Sequence, residues 1–304
     1  MKRNFRNLRA LSIVLGGIAL VSCGDASTDE TIAGNDKPII NNQLDSNQNV
    51  GIVSIGGQVF VIPSPIQTAD LIAKSKAPFN TDLLNPTENS EKYTSTFKKS
   101  LNMGIYGADL GYLAVYNATD KTTSYLKSVR GLANEIGLGT AFNDELANKI
   151  SESLGNEGKM LSLVSEAYKT ADDYLKENKK DDVASLVIVG GWLESFHFAC
   201  AAANATGNTE LIERVADQKS VLKTILAMLK QYRDNEEYDD LAVELEDLQR
   251  LFDEITYSYE FVEPVTNESE KVTKISCKHN VSITPAQVKA IGEMVKSIRN
   301  EIIG

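Results

Sequence analysis

Histidine is nearly absent, cysteine is scarce, and the charge is one-sided. The 304-residue chain contains 2 His and 3 Cys. With only His197 and His279, few Ser/His/Asp arrangements are open, and a multi-histidine metal cage is excluded. Cys23, Cys200 and Cys277 are spaced neither as a metal clip nor as a dithiol redox motif. No glycine-rich phosphate loop, nucleophile elbow, dinucleotide fingerprint or calcium loop is spelled out. Acids outnumber bases 42 to 31, which argues against nucleic acid as a partner, because phosphate binding rests on Lys and Arg. No cofactor, metal or catalytic residue is expected on this reading.

The bases that are present cluster at the start. Lys2, Arg3, Arg6 and Arg9 precede an apolar run from Ala10 to Val21 that only Ser12 breaks. A charged region followed by an apolar one reads as a secretory signal. The run is shorter than the roughly 20 apolar residues a transmembrane helix needs. Leu20-Val21-Ser22-Cys23 follows, and it resembles the bacterial lipobox. The resemblance covers this segment alone. It implies cleavage before Cys23, a diacylglyceryl group on its thiol and acylation of the new N-terminus. Several acyl chains give stable anchoring where one is marginal. Residue 24 is Gly and not Asp, which by resemblance to the sorting rule of other lipoproteins disfavours retention in the inner membrane, and the acidic Asp25, Asp29 and Glu30 resemble the export signal of surface lipoproteins of Bacteroidota. The expectation is an outer-membrane lipoprotein on the periplasmic or cell-surface face, held to the bilayer through Cys23. Removing residues 1–22 takes away four bases and no acid, moving the formal charge from −11 to −15.

Residues 23–50 comprise the lipidated Cys and a polar segment that reads as a flexible tether. Residues 51–304 read as a single, mainly α-helical domain: a multi-helix bundle or stacked antiparallel helical array. Val50 to Ile62 alternates glycine with β-branched residues, as a short strand or hairpin does. Apolar spacing then predicts helices over 66–76, 88–116, 120–136, 143–154, 158–177, 182–205, 209–232 and 236–256. Tyr257, Tyr259 and Phe261, then Thr273, Ile275 and Cys277, alternate as a small β-hairpin near the C-terminus, with His279 in a loop. Thr284 and Pro285 start a last helix running to about Ile302. Asn117-Ala118-Thr119 and Asn204-Ala205-Thr206 hint at two related halves, though no regular repeat emerges.

Two helices break local rules. One carries Gly104, Gly107, Ala108 and Gly111 on a narrow face, although glycine inside a helix costs ~1 kcal/mol relative to alanine. Such a stripe implies close approach of another helix. Asp109, Tyr112 and Tyr116 lie on the adjoining face, and Asp109 is expected to bond a tyrosine or the backbone. The other helix, around Gly190-Gly191-Trp192-Leu193-Glu194-Ser195-Phe196-His197, is apolar all round and therefore central. Glu194 and His197 share a face. Buried, they must pair with each other or find partners, with the Asp109 face and Arg130 as candidates. Glu-x-x-His resembles half of a di-iron carboxylate motif, but the second copy and its histidine are missing. For Cys200 and Cys277 two readings stay open: inert thiols, with Cys200 buried, or a disulfide outside the cytoplasm.

Ile105-Tyr106-Gly107-Ala108-Asp109-Leu110, Tyr174-Leu175-Lys176-Glu177-Asn178 and Gly190-Gly191-Trp192-Leu193-Glu194 resemble segments of helical lipoproteins of Bacteroidota, a likeness that implies no activity. The leading expectation is a non-catalytic binding or scaffolding module with a protein or small-molecule partner. One alternative is a small-molecule pocket between helices 88–116 and 182–205, lined by Asp109, Tyr112, Tyr116, Trp192, Glu194 and His197. Another is a metalloprotein or hydrolase using Glu194 and His197.

Overall fold

A computed structural model describes residues 50–55, 58–140, 142–153, 156–267, 272–274 and 278–304. Cys23 and Cys277 lie outside them. The fold is mainly α-helical, with small antiparallel strand pairs. Strands β1 (Val50–Ile55) and β2 (Gln58–Pro63) form a hairpin, and α1 (Pro65–Lys74) follows with proline in its first turn. Two 3-10 turns, Thr81–Leu83 and Thr87–Glu91, lead into α2 (Thr96–Val115). Next come α3 (Thr119–Glu135), α4 (Asp144–Glu152), α5 (Glu157–Glu177), α6 (Asp181–Thr206), α7 (Thr209–Leu229) and α8 (Glu236–Asp253). Strands β3 (Thr256–Glu260), β4 (Val265–Asn267), β5 (Val272–Lys274) and β6 (Lys278–Ser282) precede α9 (Pro285–Ile303).

Side-chain caps set most helix starts. Ser95, Asn143, Asn208 and Asn235 each accept a backbone N–H from the first turn of the helix they open, and Thr284 with Gln287 forms a full capping box on α9. The helix expected from residue 88 therefore begins at 96. Pro86 and the Ser95 cap, which receives the Lys98 N–H at 3.1 Å, hold the preceding stretch in turns. Helix ends use left-handed residues. Asn117, Gly137 and Lys179 have φ of 52°, 86° and 55°, and the next residue of each, Ala118, Leu138 and Lys180, donates its N–H back to Leu113, Ala133 and Leu175. The two Asn-Ala-Thr triplets are not equivalent: one spans the α2–α3 junction, the other lies in the last turn of α6.

The C-terminal strands pair further apart than their alternation suggests. β3 pairs with β6, placing Tyr257 opposite Val281 and Tyr259 opposite His279, and β4 pairs with β5 inside them. His279 is thus in a strand rather than a loop. Tyr257 and Val281 are the half-buried residues of this pair and pack on the core, and burial of one face is what selects a register.

Helix α6 is the hub. It packs on α1, α2, α5, α7 and α9. It is long and apolar enough to cross a membrane, but most of that apolar stretch is buried inside the domain. Its tightest neighbour is α2, and glycine makes that possible. A Cβ on Gly104 would overlap the Val187 carbonyl, and one on Gly190 would overlap the Leu101 carbonyl. The two backbones touch at this crossing, as the small-residue stripe implies. Gly111 faces α1 less closely, where a Cβ would lie 3.3 Å from the Ile66 side chain.

Alanine should therefore act oppositely at different helical glycines. Gly104→Ala and Gly190→Ala should destabilise by ~1–3 kcal/mol or more through overpacking. Gly131→Ala, on exposed α3 with open space around it, should stabilise by ~1 kcal/mol. Urea unfolding distinguishes the three. A gain in stability at 104 or 190 would refute the close crossing.

Candidate functional site

The residues that break the apolar rule of the core meet in one buried polar cluster. Glu194 of α6 is 0% exposed and Arg299 of α9 is 5% exposed. The Arg299 Nε donates to Oε2 of Glu194 at 2.5 Å, and its Nη2 to Oε1 at 2.6 Å. Nη2 also donates to the Leu83 carbonyl at 2.8 Å. One guanidinium thus ties α6, α9 and the turn at Thr81–Leu83, using the planar fork that suits Arg to a carboxylate.

Asp109 of α2 enters the same cluster. Its Oδ2 accepts the Asn85 N–H at 3.3 Å. Its Oδ1 is buried, with no hydrogen-bond partner in the structure. Asn85 is a second hub. Its Nδ2 donates to the Tyr93 hydroxyl at 3.0 Å and to Oδ1 of Asn102 at 3.3 Å, while its Oδ1 accepts from Asn89 at 2.8 Å. Asn102 Nδ2 reaches the Ile302 carbonyl at 3.2 Å, and the Tyr106 hydroxyl donates to the Pro86 carbonyl at 2.8 Å. The irregular segment between α1 and α2 is thereby held on the helices by side chains, because its own backbone cannot satisfy itself.

The six expected site residues do not converge. Asp109 and Glu194 come together. Asp109 bonds the backbone of Asn85 rather than a tyrosine. Tyr112 and Tyr116 belong to a separate aromatic cluster: Tyr112 stacks on Phe198 with ring centroids 4.5 Å apart, and both tyrosines pack on Phe79. The Tyr112 hydroxyl accepts from the Asn80 N–H, and the Tyr116 hydroxyl donates to the Ala77 carbonyl, clamping the chain after α1. Trp192 faces α7, where its Nε1 donates to Gln218 at 2.9 Å. His197 does not pair with Glu194, which Arg299 has taken. Nor does Arg130 enter the cluster; it pairs with Asp144 instead.

Electrostatics follow from this burial. Desolvation raises Asp109 well above the usual carboxyl range, and the neighbouring Glu194 charge adds to the rise. Desolvation also raises Glu194, but Arg299 and Asp109 pull it back. Burial, then the charges of Arg299 and Lys296, push His197 down to about 3, so its imidazole is neutral. Cys200 is a free, buried thiol that desolvation pushes up, a protonated and inert group. Among the described residues no group of three or more His, Cys, Asp or Glu side chains is placed to hold a metal ion.

Comparison with known proteins adds no relative: no family model, no curated protein and no solved structure matches the chain. The site has to be read from its own geometry. Asn85, Tyr93, Asn102, Tyr106 and Arg299 escaped the sequence reading. Arg299 carried a weak signal, since it borders the apolar stripe of α9 formed by Ile291, Val295, Ile298 and Ile302, but a base at the edge of such a stripe commonly reaches solvent.

Two outcomes are expected. Arg299→Met should cost ~3–5 kcal/mol, because it strands Glu194, and adding Glu194→Leu should restore most of that loss. A single-variant cost below ~1 kcal/mol in urea unfolding would refute the tie. His197 contributes stability that is fully present above its ordinary 6.5 and lost as pH falls toward about 3. His197→Gln should therefore move the acid-unfolding midpoint, followed by circular dichroism, to lower pH; an unchanged midpoint would contradict a neutral buried ring.

Proposed function

We propose that the protein is a lipid-anchored, extracytoplasmic binding or scaffolding module without catalytic activity, carried on an outer membrane by acyl chains on Cys23 and contacting its partner through the C-terminal strand arm. The lipobox-like segment and the polar stretch after it support the anchor. The observation that carries the contact role is the exposure of the arm. Along Thr256–Glu260 and Val265–Asn267 nearly every residue is in solvent, and Tyr259, Phe261, Val265 and Val272 are large apolar side chains left exposed. Exposed apolar surface of this kind marks interaction sites, and a lone pair of strands is marginal without something packed on it. The arm is fixed to the helical body at its base, where the Tyr257 hydroxyl donates to the Ala216 carbonyl at 2.6 Å and Lys219 lies over the Tyr257 ring. Arg299 occupies both oxygens of Glu194 and also ties the turn at Thr81–Leu83, which suits a core that positions elements rather than one that turns over substrate.

Both halves of the proposal are testable in cells. An alkyne-tagged fatty acid should label the wild-type protein and not Cys23→Ser, and the variant should leave the membrane fraction; equal labelling of the two would remove the anchor. A photo-crosslinking residue at position 261 should give discrete adducts that disappear in Val265→Ser/Val272→Ser. Those two surface changes should alter stability by less than ~0.5 kcal/mol. Adducts that survive the double change would place the contact elsewhere.

A further inference from the structure

The central cluster has an imbalance that its hydrogen bonds do not resolve. Two carboxyl groups, Asp109 and Glu194, are fully buried beside a single guanidinium. Both oxygens of Glu194 are taken by Arg299. Asp109 keeps one oxygen on the Asn85 N–H, and its Oδ1 faces no donor. Both acids nevertheless meet the same short segment, Asp109 at the Asn85 N–H and Glu194, through Arg299, at the Leu83 carbonyl, and each weighs on the ionisation of the other. Two carboxylates in contact repel, and a buried unpaired charge is costly. A proton on Oδ1 removes both problems, since it gives the orphan oxygen a hydrogen to donate and leaves one negative charge for one positive charge.

We infer that Asp109 is held as the neutral acid, donating its proton from Oδ1 to the Glu194 carboxylate, and that this proton is a latch allowing Arg299 to close α9 over two buried acids. With the proton bound, the cluster carries no net charge. When the proton leaves to solvent, the cluster becomes an anion with two carboxylates competing for Arg299, and the hold on α9 and on the turn at Thr81–Leu83 weakens. The groups facing Asp109 agree with this. Glu194 on α6 disfavours its ionisation and Arg299 on α9 favours it, while Tyr93, Tyr106 on α2 and Tyr125 on α3 are neutral phenols raised by their own burial. Asp70 and Lys74 of α1 pair with each other at the surface. The described charges of α5, namely Lys159, Glu166, Lys169, Asp173 and Glu177, are exposed.

The sign of the pH dependence follows. Folding raises the affinity of Asp109 for a proton above its ordinary 3.8, so above that pH the native state binds more protons than the unfolded chain. Stability from this site is complete below 3.8 and declines as pH rises, by up to about tenfold in the folding equilibrium per pH unit, until the native group ionises. His197 acts in the opposite sense below 6.5. Glu244, raised to about 7 by burial and by the neighbouring Glu301, acts in the same sense as Asp109. The test must therefore single out Asp109.

The decisive experiment uses the full chain in detergent, with the aspartate side-chain carboxyl carbons labelled with carbon-13, and infrared spectroscopy at neutral pH. Labelling aspartate leaves Glu244 and Glu301 silent. The expected result is a carbonyl band of a protonated carboxylic acid that shifts with the label and is missing from Asp109→Asn. If no protonated aspartate band appears in the labelled wild-type protein, Asp109 is ionised and the inference falls, whether or not any variant folds. As a second readout, Asp109→Asn keeps a donor toward Glu194 but cannot titrate. Its stability relative to wild type should rise with pH, and a difference constant across pH would also overturn the latch.

Discussion

Everything in the centre of this protein depends on the backbone contact between α2 and α6. Gly104 and Gly190 remove the side chains that would hold the two helices apart. The approach carries a penalty in helix propensity at each glycine, and the helices recover it by burying a long, apolar α6 on several sides. It also has an electrostatic consequence. Glu194 lies about one turn past Gly190, and Asp109 about a turn and a half past Gly104, so closely approaching helices bring two acids into one buried space.

Arg299 is the answer to that space. It comes from the far end of the chain, on α9, and its Nε and Nη2 bind Glu194 while a second N–H of Nη2 reaches the Leu83 carbonyl. Removing either partner leaves a charge in the core, which is why a buried pair is costly to break even where it adds little net stability. The same cluster explains how the irregular stretch between α1 and α2 stays ordered. Asn85, Tyr93, Asn102 and Tyr106 supply it with side-chain hydrogen bonds in place of a regular ladder.

This arrangement separates a buried centre from an exposed periphery. Polar groups in the core are mostly paired, and the aromatic residues Tyr112, Tyr116, Phe79 and Phe198 fill their own corner. The apolar residues left in solvent lie largely on strands and the segments that join them, at Val59 and Val61 and along the C-terminal arm.

The periodicity of the chain determined the class of the fold, most helix boundaries, the capped start of α9 and the central place of α6, because apolar spacing and capping are local properties. It also pointed to a close helix crossing at the glycine stripe, which Gly104 makes with α6. Tertiary structure alone decided the partners. Glu194 and His197 share a helical face, and Asp109, Tyr112 and Tyr116 share another, yet the partners come from distant segments: Arg299, more than a hundred residues along the chain, for Glu194, Asn85 for Asp109, and Asn80 and Ala77 for the two tyrosines. Local spacing states which residues are buried and polar. Which group neutralises each of them depends on how helices far apart in sequence are brought side by side, and that is a property of packing rather than of any one segment.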